Sequence, residues 1–208
     1  MALDLEEQEQ VDQLKALWKK YGDYVTRGAI AFFVLYGLFQ GWGYYQNKQS
    51  LSASELYQAI TVLDEKNTKE IIEKSQRLID DYSGTPYAGR AAILFAKASY
   101  ADGLNDKAKE KLEWASGHAK ESATESIALI QLGQILLEEK KYDEALKKAN
   151  AVDNEGYLGL SNDLKGDVLN AMGKKEDAKK AYLEALKRFG PKDSYARFTQ
   201  EKLESLGV

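Results

Sequence analysis

The chain has 208 residues, 30% of them charged, and a formal net charge of −4; that length suits one domain with an appendage, and the charge balance argues against disorder and against whole-chain nucleic-acid binding. Its 16 Gly and only 2 Pro favour a mostly helical chain over a turn-rich all-β one. Cys is absent and His118 is the single His, which excludes disulfides, a thiol nucleophile, a His-rich metal site and a His-based triad, and no cofactor is expected.

Charges vanish between Arg27 and Lys48, leaving 20 uncharged residues at 28–47 around the apolar run Ala29 to Leu35. As a helix this stretch is about 30 Å long, close to the hydrocarbon thickness of a bilayer. Trp18, Tyr21 and Tyr24 precede it and Trp42, Tyr44 and Tyr45 close it, placing aromatic rings at both headgroup levels. A single transmembrane helix over 28–47 is therefore expected. Lys15, Lys19, Lys20 and Arg27 lie before the span and only Lys48 lies close behind it, so residues 1–27 are expected in the cytoplasm and 48–208 across the membrane. A cleaved signal peptide fits worse. Its leading region would be 27 residues long and carry six acids: Asp4, Glu6, Glu7, Glu9, Asp12 and Asp23. Gly37 and Gly41 form a small-xxx-small pair that chance explains equally well.

Beyond residue 50 the sequence repeats. A small residue is followed twelve positions later by another small or apolar one, then by more at +4 and +3. The units are Ala59 with Ile71, Ser75 and Leu78; Ala96 with Ala108, Leu112 and Ala115; Gly133 with Ala145, Ala149 and Val152; and Gly166 with Ala178, Tyr182 and Ala185. The leading residues are 37, 37 and 33 positions apart, the mark of an antiparallel helical hairpin used four times. Gly inside a helix costs about 1 kcal/mol relative to Ala. Gly133 and Gly166 should therefore sit at close helix contacts, with Ala145 and Ala178 opposite. Gly103 and Gly173 fall in turns, where positive φ is cheap for Gly. Helix starts are expected at Thr85-Pro86, at Ser122 with Glu125 as a capping box, and at Asn105 and Asp143. Gly190-Pro191 ends the fourth unit, and Asp193 or Ser194 opens a terminal helix that covers the open end of the stack.

Gly166-Asp167-Val168-Leu169, Gly173, Ala178, Tyr182 and Ala185-Leu186 resemble the tetratricopeptide repeat consensus, the earlier units being more degenerate. The whole arrangement is similar to the YfgM family, the ancillary subunit of the Sec translocon. The resemblance rests on an acidic head with Glu9-Gln10-Val11, then Leu14 to Trp18 and Tyr21-Gly22, one span, four repeats, and Gly156-Tyr157 ahead of Asp163-Leu164-Lys165-Gly166. The expected fold is all-α: an N-terminal transmembrane helix, then a tetratricopeptide-like α-solenoid of about four hairpins with a C-terminal capping helix.

The resemblance implies a bacterial inner-membrane protein beside the SecYEG channel, partnered with a membrane-anchored periplasmic chaperone related to peptidyl-prolyl isomerases. It would help secretory clients pass to periplasmic folding factors. A second implied role is a regulatory adaptor for envelope stress, holding a response regulator through the cytoplasmic tail. In such arrays the first helices line a groove. Its expected inward residues are Arg90, Ile93, Lys97 and Tyr100; Ile130, Gln134 and Leu137; and Asp163, Asp167 and Asn170. That mixture suits an extended polypeptide as well as it suits an ordinary solvated face. An enzyme would need clustered catalytic residues; Asp80-Asp81 and Glu138-Glu139 have no convergent His or nucleophile and read as surface charge.

Overall fold

The computed structural model describes residues 5–190 and 193–207. Pro191, read above as a stop, and Asp4 lie outside the described residues. The chain divides into two units, one ending at Lys48 and one beginning at Gln49.

The first unit is the N-terminal stretch of helix α1 (Leu5–Thr61). Arg27 pairs with Asp23 at 2.8 Å, and the Thr26 hydroxyl donates to the Gly22 carbonyl at 2.8 Å. Its large apolar side chains are exposed on every face, Phe32, Leu35, Phe39 and Trp42 among them. Among the described residues, however, no helix is long and apolar enough to cross a membrane. Residues 28–47 lack charge, but Gly, Tyr, Trp and Gln dilute Ile30, Val34 and Leu35, so freedom from charge did not amount to high hydropathy.

The second unit is a row of helices: the last turns of α1, α2 (Thr68–Asp81), α3 (Pro86–Ala101), α4 (Asn105–His118), α5 (Ser122–Glu138), α6 (Tyr142–Asn150), a 3-10 turn at Glu155–Tyr157, α7 (Leu158–Ala171), α8 (Lys175–Arg188) and α9 (Ser194–Ser205). From α2 to α9 each helix packs on the next, and the first helices α3, α5 and α7 also touch in succession. Those are the expected hairpins and the expected terminal helix. The seam is lined with Ala: Ala91, Ala108, Ala115, Ala145, Ala149, Ala178 and Ala185 are wholly buried, with Leu78, Leu112, Leu164 and Val168 filling the wider gaps. In the first unit of the repeat, Ala53 and Ile60 carry the burial while Ala59 is only half-buried.

Three of the hairpin turns are copies of one another. Gly103, Lys140 and Gly173 have φ of 74°, 62° and 76°. The amide after each bonds back across the helix end: Leu104 to Ser99 O at 2.8 Å, Lys141 to Leu136 O at 2.8 Å, Lys174 to Leu169 O at 2.9 Å. This is the Schellman closure, in which the left-handed residue lets two orphan carbonyls be satisfied.

Helix starts depart from expectation. The capping residues of α4 and α6 are Leu104 and Lys141, with Asn105 and Asp143 already inside the helix. Each Schellman turn leads straight into its next helix, leaving no room for a separate side-chain cap. The residue capping α5 is Glu121, and Ser122 instead accepts from Asn154 Nδ2 at 2.7 Å, so no capping box forms. Thr85 does precede Pro86 at the start of α3, but its hydroxyl donates backward to Tyr82 O at 2.8 Å. Asp193 caps α9, accepting from the Tyr195 amide at 3.0 Å.

Gly133 and Gly166 are both at close contacts. A Cβ on Gly133 would meet Leu164 at 2.7 Å, with the Ala145 carbonyl oxygen at 3.5 Å. The partner of Gly166 is the Tyr182 ring and not Ala178. Tyr182 fills the space one turn further along α8, which a count of small residues cannot see.

Candidate protein-binding groove

On α3, Arg90, Ile93, Leu94, Lys97, Ala98 and Ala101 recur at helical spacing and so share one face. Opposite them stand Tyr57, Ile60 and Thr61 of the last turns of α1. Two hollows open along this face, one against the end of α1 and the start of α2 and the other against α5 and Tyr157, and Leu94 lines both.

The larger, about 400 Å³, is bounded by Tyr57, Arg90, Ile93, Leu94, Glu121, Ala123, Thr124, Ile127 and Tyr157. Its one fixed polar feature is a two-pronged ion pair. Arg90 Nε donates to Glu121 Oε2 at 2.8 Å and Nη2 to Oε1 at 2.6 Å, while the Thr124 hydroxyl donates to Oε2 at 3.1 Å. The hydrogen bonds from Arg90 hold the Glu121 carboxyl below its ordinary range, and Glu121 in turn raises the Arg90 guanidinium. Arg90 also lies over the Tyr87 ring, 5.5 Å from its centre, and that ring sits 5.6 Å from Tyr57.

The smaller hollow, about 190 Å³, is walled by Ile60, Leu63, Ile71, Leu94, Ala98 and Ala101, with Lys97 and Glu65 joined at 2.6 Å across its rim. The hollows among the second helices carry more charged side chains. The one by α2 and α4 presents Glu73, Arg77, Asp80, Asp81, Lys107 and Glu110, and the one by α4 and α6 presents Lys109, Glu113, Lys141, Glu144, Lys147 and Lys148. Ile72 and Phe95 also line the first of these and Leu132 and Leu136 the second, so every one of the four hollows mixes apolar and charged walls.

The residues read from sequence as inward-facing separate into groups. Arg90 and Ile93 wall the larger hollow and Lys97 the smaller. Tyr100 donates its hydroxyl to Glu138 of the next first helix. Ile130 is buried in the core and not available to a ligand, Leu137 is half-buried, and Gln134 and Asn170 are exposed.

Asp163 and Asp167 are covered by α9. Lys202 Nζ reaches Asp163 Oδ2 and Asp167 Oδ2, both at 2.7 Å, and the Thr199 hydroxyl donates to Asp163 Oδ1 at 2.7 Å. The Tyr182 hydroxyl donates to Asp167 Oδ1 at 2.8 Å. Burial pushes the Asp167 carboxyl above its ordinary range despite these donors, and burial also pushes the Tyr182 hydroxyl up. Burial opposes the Lys202 charge, but its bonds to the two carboxylates win and raise it. The acidic end of the expected groove is thus filled by the chain itself.

Sequence reasoning passed over Tyr57, Glu65, Glu121, Tyr157 and Lys202. A signal existed for two of them. Arg90 and Glu121 are 31 positions apart and Lys97 and Glu65 are 32, close to one repeat, so opposite charges offset by one repeat mark these contacts.

The tetratricopeptide repeat-like domain family matches residues 15–208. A protein of Neisseria gonorrhoeae described as ancillary SecYEG translocon subunit is 32% identical, covering 99% of this chain and 100% of that relative. The chain belongs to the ancillary SecYEG translocon subunit family. Members from Aggregatibacter actinomycetemcomitans and Escherichia coli are 26% and 24% identical over 91% and 97% of this chain, and over 93% and 97% of their own lengths. In this family member the described residues contain no group of three or more His, Cys, Asp or Glu placed to hold a metal ion.

Proposed function

We propose that the chain is a non-enzymatic, membrane-anchored scaffold of the Sec translocon, which helps secretory proteins pass from SecYEG to periplasmic folding factors. The observation that carries this is the end-to-end similarity to relatives described as ancillary SecYEG translocon subunits. The repeat domain supports it, because stacked hairpins present long surfaces suited to polypeptide partners. A membrane-anchored isomerase-like chaperone is the expected companion.

The anchor is residues 28–47, with 1–27 in the cytoplasm and 48–208 in the periplasm. An all-round sleeve of exposed Phe, Leu, Trp and Tyr is unfavourable in water, which supports burying it in a bilayer. Its modest hydropathy suits a helix lying partly against other membrane helices, where Gly and polar side chains find partners.

The test is purification of the full chain from membranes in mild detergent. SecYEG should be retained at a defined ratio, and its absence would sink the translocon assignment. Protease added to spheroplasts should digest residues 49–208 and spare the N-terminal segment; a protected C-terminal domain would overturn the orientation.

A further inference from the structure

We propose that the outer side of the second helices α6 and α8 docks a carboxylate-rich face of a partner protein, with exposed Leu183 as its apolar contact. The inference adds a contact surface to the translocon reading and rests on it for the partner being a protein.

Three observations carry it. First, positive charge is gathered on these two helices. With the two residues before each, α6 and α8 hold ten basic and five acidic side chains, in a chain whose net charge is −4. Helices α2 and α4, taken the same way, hold seven of each. The second helix is thus basic in the last two hairpins and balanced in the first two, so the hairpin itself does not require the charge.

Second, several of these lysines have nothing to bind within the chain. Lys141 pairs with Glu139, Lys148 with Glu113, Lys180 with Asp177 and Lys187 with Glu184. Lys140, Lys147, Lys174 and Lys179 have no acidic partner among the described residues. Incoming carboxylates can pair with them without breaking an ion pair of the domain.

Third, lysine stands where it works against stability. Lys140 holds φ of 62° in a turn whose counterparts are Gly103 and Gly173. Lys141 and Lys174 cap α6 and α8 without a side-chain cap bond, at ends where the helix dipole disfavours a cation. Charges kept against local physics mark a role outside the fold.

The remaining side chains decide the class of partner. Asp143, Glu144, Glu176, Asp177 and Glu184 are interleaved with the lysines and would repel a continuous row of phosphates. Leu183 is 42% exposed, about one turn from Lys180 and from Lys187. A protein face with spaced carboxylates around one apolar side chain complements both features.

The test uses the full chain in neutral phosphatidylcholine nanodiscs and a fluorescein-labelled twelve-residue peptide with six glutamates around one leucine. A companion carries glutamine for glutamate. The acidic peptide should bind by anisotropy and weaken as salt rises, and the glutamine peptide should bind at least tenfold more weakly. Lys147→Glu with Lys174→Glu should weaken binding at least tenfold. Lys69→Glu with Lys107→Glu, the same charge change on α2 and α4, should alter it less than twofold. Lys140→Gly should weaken binding at least twofold while raising the melting temperature, a split that a purely structural lysine would not give.

Equal losses in the two double variants would show that only net charge is read and would overturn the proposal. Phosphatidylglycerol vesicles that bind the chain in trans more tightly than the peptide does, through Lys147 and Lys174, would overturn it too. SecYEG retention by a chain that binds no acidic peptide would sink this inference alone. Peptide binding without SecYEG retention would instead remove the translocon reading and leave the basic face standing.

Discussion

A Cβ placed on Gly166 would lie 2.3 Å from Cε1 and 2.4 Å from Cδ1 of Tyr182, a ring that is 1% exposed and tied by its hydroxyl to Asp167. The fourth hairpin closes on this contact. Gly166→Ala gains about 1 kcal/mol of helix propensity, yet its methyl group cannot be accommodated without moving a buried ring. Overpacking of this kind costs about 1–3 kcal/mol. Gly166→Ala should therefore lower the melting temperature, and adding Tyr182→Leu should recover part of the loss. Thermal unfolding followed by circular dichroism decides it; a neutral Gly166→Ala would show that α7 and α8 are not this close.

Lys140 holds the same left-handed position as Gly103 and Gly173, with φ of 62° where they have 74° and 76°. An L-residue with a Cβ is strained there by about 1–2 kcal/mol, and Gly is not. The greater freedom of Gly in the unfolded chain offsets part of this. Lys140→Gly should still raise stability by about 0.5–1 kcal/mol in denaturant titration. The converse changes, Gly103→Ala and Gly173→Ala, should lower it.

Lys202 bridges Asp163 and Asp167 at 2.7 Å each. Lys202→Met leaves two carboxylates facing one another on the inner side of α9. The lysine is partly open to solvent, so the loss should be about 1–2 kcal/mol, below that of a fully buried pair. Amide hydrogen exchange in α9 should quicken more than in α3 to α6. Asp167 titrates above the ordinary carboxylate range, so it takes up a proton at a higher pH than an ordinary Asp. As pH falls the repulsion therefore eases, and the deficit of Lys202→Met should shrink. A deficit that grows on acidification would show that the two carboxylates do not oppose each other.

The Arg90–Glu121 pair gives an acid signature of the same sign from a carboxyl shifted the other way. The folded-state pKa of Glu121 lies below its ordinary 4.5, so its stabilisation is present above that value and is lost as pH falls through the folded value. Glu121→Gln should therefore lower stability near pH 6, by about 1 kcal/mol or less for a partly exposed pair, and the difference should narrow towards pH 3. Melting curves at the two pH values check this. An equal difference at both would show that Glu121 acts through packing and not through charge.

The hairpin periodicity was legible without coordinates because it is local. Small residues recur at helical spacing, a left-handed residue closes each Schellman turn, and Gly103 and Gly173 mark two of the three turns outright. The number of hairpins, the terminal helix and the tightness around Gly133 and Gly166 follow from chemistry within one or two turns of chain. Which side chain occupies the tight space does not. Tyr182 stands opposite Gly166, Lys202 covers Asp163 and Asp167, and Tyr57 lines one hollow with Ile93, pairings 16 to 39 positions apart whose side-chain types do not recur from unit to unit. Whether a residue on the correct helix face meets solvent or another helix depends on how far the next hairpin rotates and where the last helix lands. Ile130 went to the core and the acidic pair went under α9 for that reason, while Arg90, Ile93 and Lys97 stayed at the hollows along α3. Local spacing can choose the face of a helix, but only the packed neighbours decide what that face touches.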